Sequence, residues 1–203
     1  HIGILYTDYF PRASKRGGAW MSELRRQHRE NGVNITPVIY NVGNFTKPTG
    51  DTPSLLTFDE ASTLFHEFGH ALHGLLSNCR HYSISSTEVP RDFVELPSQI
   101  MENWAGEPEV LKMYAKHYKT GEPIPDALIN KIVRASKFNQ GFVTVEFTAA
   151  ALLDMDWHVL ETPTELDVIK FENNTAKKIG LLPEISFRYR TTYFNHIFAS
   201  DYS

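Results

Sequence analysis

Hydrophobic and polar positions divide the chain into two regimes. Residues 1–10 (HIGILYTDYF) are apolar and aromatic with loose alternation, the period of a strand. Residues 35–42 (ITPVIYNV) predict a second strand, with Pro37 pointing to an edge position or a break. The dense Gly, Asn, Pro and Thr content of residues 43–54 reads as loop. From Thr57 onward apolar residues recur three and four apart, and helices dominate. Thr57-Phe58-Asp59-Glu60 has the form of a capping box, in which the Thr hydroxyl and the Glu carboxylate satisfy exposed N–H groups. Leu64, Phe65, Phe68, Ala71, Leu72 and Leu75 then form an apolar stripe on a helix ending near Asn78. Further helices are predicted over 92–105, 108–119, 125–139, 142–160 and 165–179, before an aromatic segment at 189–202. The expected fold class is mainly α with a small β-sheet near the N-terminus, divided into a strand- and loop-rich portion (1–55) and a helical portion (56–203) of a single domain.

Composition narrows the function classes. With 20 Lys+Arg against 24 Asp+Glu over 203 residues, the net charge of −4 gives no basis for binding nucleic acid or an anionic membrane. No apolar run approaches the roughly 18 residues of a membrane span. A single cysteine, Cys79, excludes an internal disulfide framework and a cysteine-built zinc site. The chain starts at His1 and stops at Ser203 just after an aromatic stretch, so the expectation is a piece of a longer protein, cut at both ends.

The chemistry concentrates in the capped helix, at His66-Glu67-Phe68-Gly69-His70. Histidines four apart on a helix lie one turn above each other, so both rings reach one ion. Glu67, beside the first of them, can hold a water on that ion without being a ligand. Neutral imidazoles suit zinc, and an open fourth position lowers the pKa of a bound water to about 7. A third ligand should be an acid on a second helix, with Glu88, Glu95, Glu102 and, more weakly, Asp92 as the choices. Glu95 and Glu102 are seven apart and share a face with Ser98 and Gln99. Phe93, Leu96, Ile100 and Trp104 cover the adjoining face and predict a partly buried helix. That pairing favours one acid as ligand and the other as a partner to a histidine N–H. Spacing alone leaves Glu95 and its neighbours at even odds.

TLFHEFGHALHGLL (63–76) and PRDFVELPSQIMENW (90–104) resemble the thimet oligopeptidase family of zinc metallopeptidases, and within it the bacterial peptidyl-dipeptidases. The likeness extends to SKFNQG (136–141), ALLDM (151–155) and YRTTYFNHIF (189–198). The resemblance implies one zinc per chain on His66, His70 and Glu95, with Glu67 as general base and Glu102 as a second acid close to the metal. It implies that His196 is a catalytic, substrate-contacting histidine and that Tyr202 faces the same cleft. It implies a zinc metallopeptidase core that releases C-terminal dipeptides from short peptides, with an oligopeptidase cutting internal bonds as the alternative. The family's oxyanion-stabilising tyrosines would follow Ser203, and its Gly-rich run after His-Ile-Phe is Ala199-Ser200-Asp201 here. Family members are more than three times as long, so the remainder of the enzyme is an expected partner, and nucleic acid and membrane are not. The expected compartment is the cytoplasm, with the periplasm as the alternative.

A zinc-binding domain without catalysis, or a fragment inactive by itself, is the competing class. The glutamate at position 67 favours catalysis, because a purely structural site fills its fourth position with another Cys or His. His73 is read as a packed histidine; His1, His28, His117 and His158 are read as surface or core residues, and His81 as a loop residue as readily as a cleft one. Met155 and Trp157 are expected in the core, Cys79 as an unreactive thiol, and the 12–16 charge cluster as a solvated loop.

Overall fold

The computed structural model describes residues 1–162 and 165–199. All strands lie between residues 4 and 42 and all α-helices after residue 57. The chain forms two compact units, His1–Lys131 and Ile132–Ser203.

In the first unit, β1 (Ile4–Asp8), β2 (Trp20–Arg25) and β5 (Val38–Val42) form a sheet in the order β1-β5-β2. β5 is therefore central, parallel to β1 and antiparallel to β2, with a register shift between Glu23 and Arg25. β3 (His28–Glu30) and β4 (Val33–Ile35) make a separate hairpin. Asn31 and Gly32 at its tip both take positive φ, the geometry of the tight turns whose twist matches paired strands. The two expected strands are present in shortened form. β2, β3 and β4 were not foreseen, although Asn31-Gly32 is the strongest short-range signal for a hairpin.

Helix α1 (Phe58–Leu75) starts at the expected cap. Thr57 Oγ1 accepts from the Glu60 N–H at 3.2 Å, and Glu60 Oε2 accepts from the Thr57 N–H at 2.8 Å. The other Glu60 oxygen accepts from the backbone N–H and hydroxyl of Thr46, tying the 43–54 loop to the helix start. These donors, led by the Thr57 N–H, hold the Glu60 carboxyl below its usual range. The buried face differs from the predicted stripe. It consists of Glu67, Gly69, Ala71 and Gly74, while Phe68 is exposed and the large apolar residues are only partly covered.

Small residues allow this because neighbouring elements approach the α1 backbone closely. A Cβ on Gly69 would lie 2.5 Å from the Ser98 Cα and 2.6 Å from the Pro97 carbonyl oxygen. One on Gly74 would meet the tips of Met21 and Ile39 at 2.7 and 2.8 Å, so this end of α1 rests on β2 and β5.

The helix expected over 92–105 is two pieces, α2 (Arg91–Val94) and α3 (Leu96–Gly106), with Glu95 between them at φ −87° and ψ −4°. Pro97 explains the break: it has no N–H to donate to Phe93, and its ring would clash with that carbonyl in a continuous helix. The predicted buried face is also exposed, with Phe93, Leu96, Ile100 and Trp104 each about half accessible, and Val94, Ser98 and Ala105 are buried instead. α4 (Pro108–Tyr114) and α5 (Asp126–Ala135) are shorter than predicted.

In the second unit, α6 (Gln140–His158) and α7 (Val168–Lys178) pack around Ala149, Leu153 and Phe187, with Trp157 and Phe171 stacked at 3.9 Å. Trp157 thus belongs to a core, as expected, whereas Met155 is exposed. A one-turn helix, α8 (His196–Ala199), ends the described chain. No helix among the described residues is long and apolar enough to cross a membrane.

The two glycines of α1 give a test of this packing. Gly to Ala inside a helix ordinarily stabilises by up to about 1 kcal/mol. Gly69→Ala must push backbone apart and should instead lower stability by about 3 kcal/mol or more. Gly74→Ala, which displaces only flexible side-chain tips, should cost clearly less. Denaturant unfolding of both variants checks the order, and equal costs would contradict it.

Candidate metal centre

His66 and His70 project from the middle of α1, with ring centroids 4.9 Å apart. Glu95 enters from the α2–α3 junction, and its Oε2 lies 3.0 Å from His70 Nε2 and 3.2 Å from His66 Nε2. One ligand atom from each of the three residues falls within 4.8 Å of the others. Two ligands of a tetrahedral zinc, with bonds near 2.1 Å, lie about 3.4 Å apart. The donor set and its spacing therefore fit such an ion. The helix break serves this arrangement: Glu95 sits at the junction, and its Oε2 accepts from the buried Ser98 hydroxyl at 2.7 Å.

Glu102, two turns further along α3, reaches the same histidine from its other side. Its Oε1 lies 2.5 Å from His66 Nδ1. A carboxylate at Nδ1 makes that nitrogen the N–H donor and leaves Nε2 with a free lone pair directed at Glu95 and His70. His66 is thus held between two acids, one at each ring nitrogen. His70 Nδ1 is buried and has no hydrogen-bond partner among the described residues. Burial pulls the His70 pKa below its ordinary value, with Glu95 opposing, which favours the neutral, metal-binding form.

Glu67 is on the buried face of α1, only 6% exposed, and its Oε2 has no hydrogen-bond partner among the described residues. Burial pushes its carboxyl up to about 7, with His66 opposing the rise and Glu95 adding to it. A buried carboxyl lacking a partner is costly unless some polar group completes it. Glu67 stands next in sequence to His66, one of the three residues that could hold a metal ion.

Glu88 and His73 have contacts outside this cluster. Glu88 pairs with Arg26 at 2.6 Å, which leaves Glu95 and Glu102 as the acids that reach the histidines. His73 packs edge-on against Phe93. His196 opens α8 in the second unit, and Tyr202 is outside the described residues. Sequence reading missed Ser98 as the hydroxyl that orients Glu95; its place three residues beyond that acid is the available signal.

The profile of peptidase family M3 matches residues 1–203. The chain belongs to peptidase family M3. It is 48% identical over 204 residues to dipeptidyl carboxypeptidase of Escherichia coli, covering 100% of this chain and 30% of that protein. It is 38% identical to oligopeptidase A of Escherichia coli, with 99% of this chain and 30% of the relative covered. Saccharolysin of Saccharomyces cerevisiae is 34% identical, over 100% of this chain and 29% of the relative. The chain therefore spans about 30% of the length of the M3 relatives it matches.

The His66–Glu102 contact makes a prediction about affinity. Glu102→Ala leaves all three ligands in place but frees the His66 ring and its tautomer. Metal affinity, measured by competition with a chelator, should fall roughly 10- to 100-fold. Unchanged affinity would show that the contact does not orient the ligand.

Proposed function

We propose that the protein is a zinc-dependent peptidase that releases dipeptides from the C-termini of short peptides, with one zinc held by His66, His70 and Glu95. The observation that carries the reading is the buried, unpartnered Glu67 carboxyl beside a three-membered metal-ligand cluster. A structural site needs four protein ligands and no such carboxyl. Among the described residues the cluster has three members.

Zinc in this position would supply a Lewis acid that activates both a water and the scissile carbonyl. Glu67 would take the proton from the attacking water and pass it to the leaving amine. A pKa near 7 suits both halves of that task, because the group accepts and releases a proton at neutral pH. Glu102 would keep His66 in its metal-binding tautomer throughout. By resemblance, His196 and Tyr202 would contact the substrate. Both compact units would then belong to one helical metallopeptidase domain, and a cytoplasmic location is part of the same proposal.

The choice of C-terminal dipeptide release rests on the 48% identical relative, whose name states that specificity. The relative named oligopeptidase A supports a second reading, in which internal bonds of short peptides are cut. Because the chain spans about 30% of these relatives, the activity is assigned to the whole protein.

Zinc analysis and peptide hydrolysis by the full-length protein and its Glu67→Gln variant test this reading. The variant should retain its zinc and lose at least about a hundredfold in turnover, the lower end of what a positioned base supplies. Mass spectrometry of the wild-type products should find C-terminal dipeptides. Undiminished turnover in the variant would refute the role of Glu67, and internal fragments alone would favour the second reading.

A further inference from the structure

Glu172, on α7, is a charged residue that is 2% exposed and belongs to no part of the metal centre. Its two oxygens are both occupied by the chain segment that follows Phe187. Oε2 accepts from Arg190 Nε at 2.6 Å, and Oε1 accepts from the Thr191 backbone N–H at 2.8 Å. The Thr191 hydroxyl in turn accepts from Trp157 Nε1 on α6 at 2.9 Å. A buried carboxylate is tolerated only when paired and hydrogen-bonded, so this contact fixes both the position and the direction of the backbone at 190–191.

From that point the chain turns tightly to His196. The Arg190 carbonyl accepts from the N–H groups of Tyr193 and Phe194, at 3.1 and 2.9 Å. The Phe194 ring stacks on Tyr189 at 4.1 Å and on the His196 imidazole at 4.8 Å. On the far side of His196, Phe198 packs edge-on against Trp157 and stacks on His158. His196 therefore lies between two anchor points, and the electrostatic one of the two is Glu172.

We propose that Glu172 is the positioning residue of the 189–198 segment: its buried carboxylate, clamped on Arg190 and Thr191, sets where His196 presents its imidazole. This deepens the reading above and rests on His196 being a substrate contact. Glu172 acts through the segment and touches no substrate. A misplacement of the order of 1 Å in a contacting group is enough to lower kcat/KM by about a hundredfold.

The test uses the full-length zinc enzyme with a short peptide substrate and three variants: Glu172→Gln, His196→Ala and the double variant. Glu172→Gln keeps the side-chain volume and removes the charge that clamps Arg190. It should keep its zinc, lose hydrogen-exchange protection at 189–198, and lower kcat/KM by about tenfold or more well below its unfolding temperature. The double variant should be no worse than His196→Ala alone, because the two changes act through one imidazole. A purely structural role would lower the unfolding temperature while leaving kcat/KM unchanged, or would add its loss in full to that of His196→Ala. Either result overturns the positioning role alone. Unaltered kinetics in His196→Ala would overturn it together with the reading of His196. If Glu172→Gln does not fold, Arg190→Ala breaks the same clamp from its more exposed side and is judged by the same outcomes.

Discussion

Two helix backbones can come within van der Waals contact only where no side chain stands between them, and at Gly69 the metal centre depends on that. Gly69 is flanked by residues of the candidate centre, three positions after His66, two after Glu67 and one before His70. Pro97 and Ser98, which fill the space its Cβ would take, lie in the first turn of the helix that follows Glu95. Close approach at this one point sets the distance from Glu95 to both histidines. Pro97, in the first turn of α3, does a second job by breaking the helix, so that Glu95 is presented from a junction rather than from a helix flank.

Once the helices are this close, electrostatics decide what each group does. His66 faces an acid on each ring nitrogen, so one carboxylate can share a metal with it while the other fixes its proton. Glu95 is anchored by Ser98, and Glu102 needs only its place two turns along α3. Glu67 is different because it is buried with no ion pair among the described residues, and burial pushes its carboxyl up to about 7. The same rule governs Glu172 in the second unit with the opposite outcome. There the buried charge has a guanidinium and a backbone N–H, and it acts as a fastening.

Much of this centre was legible in the sequence because its signals are local. The capping box at Thr57 placed the start of α1, and the four-residue spacing of the histidines placed them on one side of it. The choice between Glu95 and Glu102 was not legible from spacing, since both reach His66 and only the Pro97 break separates their approaches. The apolar stripe of α1 is a related case. Its Ala71 is buried while its large members are only partly covered, because close backbone packing selects glycine and alanine, which carry little hydrophobic signal. The half-accessible Phe93, Leu96, Ile100 and Trp104 show the same limit, because an apolar stripe reports an inclination to be covered and not what covers it. Strands β3 and β4 were missed because they have three residues each, although Asn31-Gly32 marks their turn, and β2 because Ser22, Glu23 and Arg25 interrupt its apolar positions.

Backbone contact at Gly69, as much as the identity of His66, His70 and Glu95, shapes the candidate metal site. A zinc titration of the chain and its Gly69→Ala variant, both first shown to be folded by circular dichroism, tests it most directly. About one zinc per wild-type chain is expected, with a variant at least about tenfold weaker although His66, His70 and Glu95 are all retained. Equal affinity in the two proteins would contradict it, since the ligands would then find the metal without the close approach of α1 and α3.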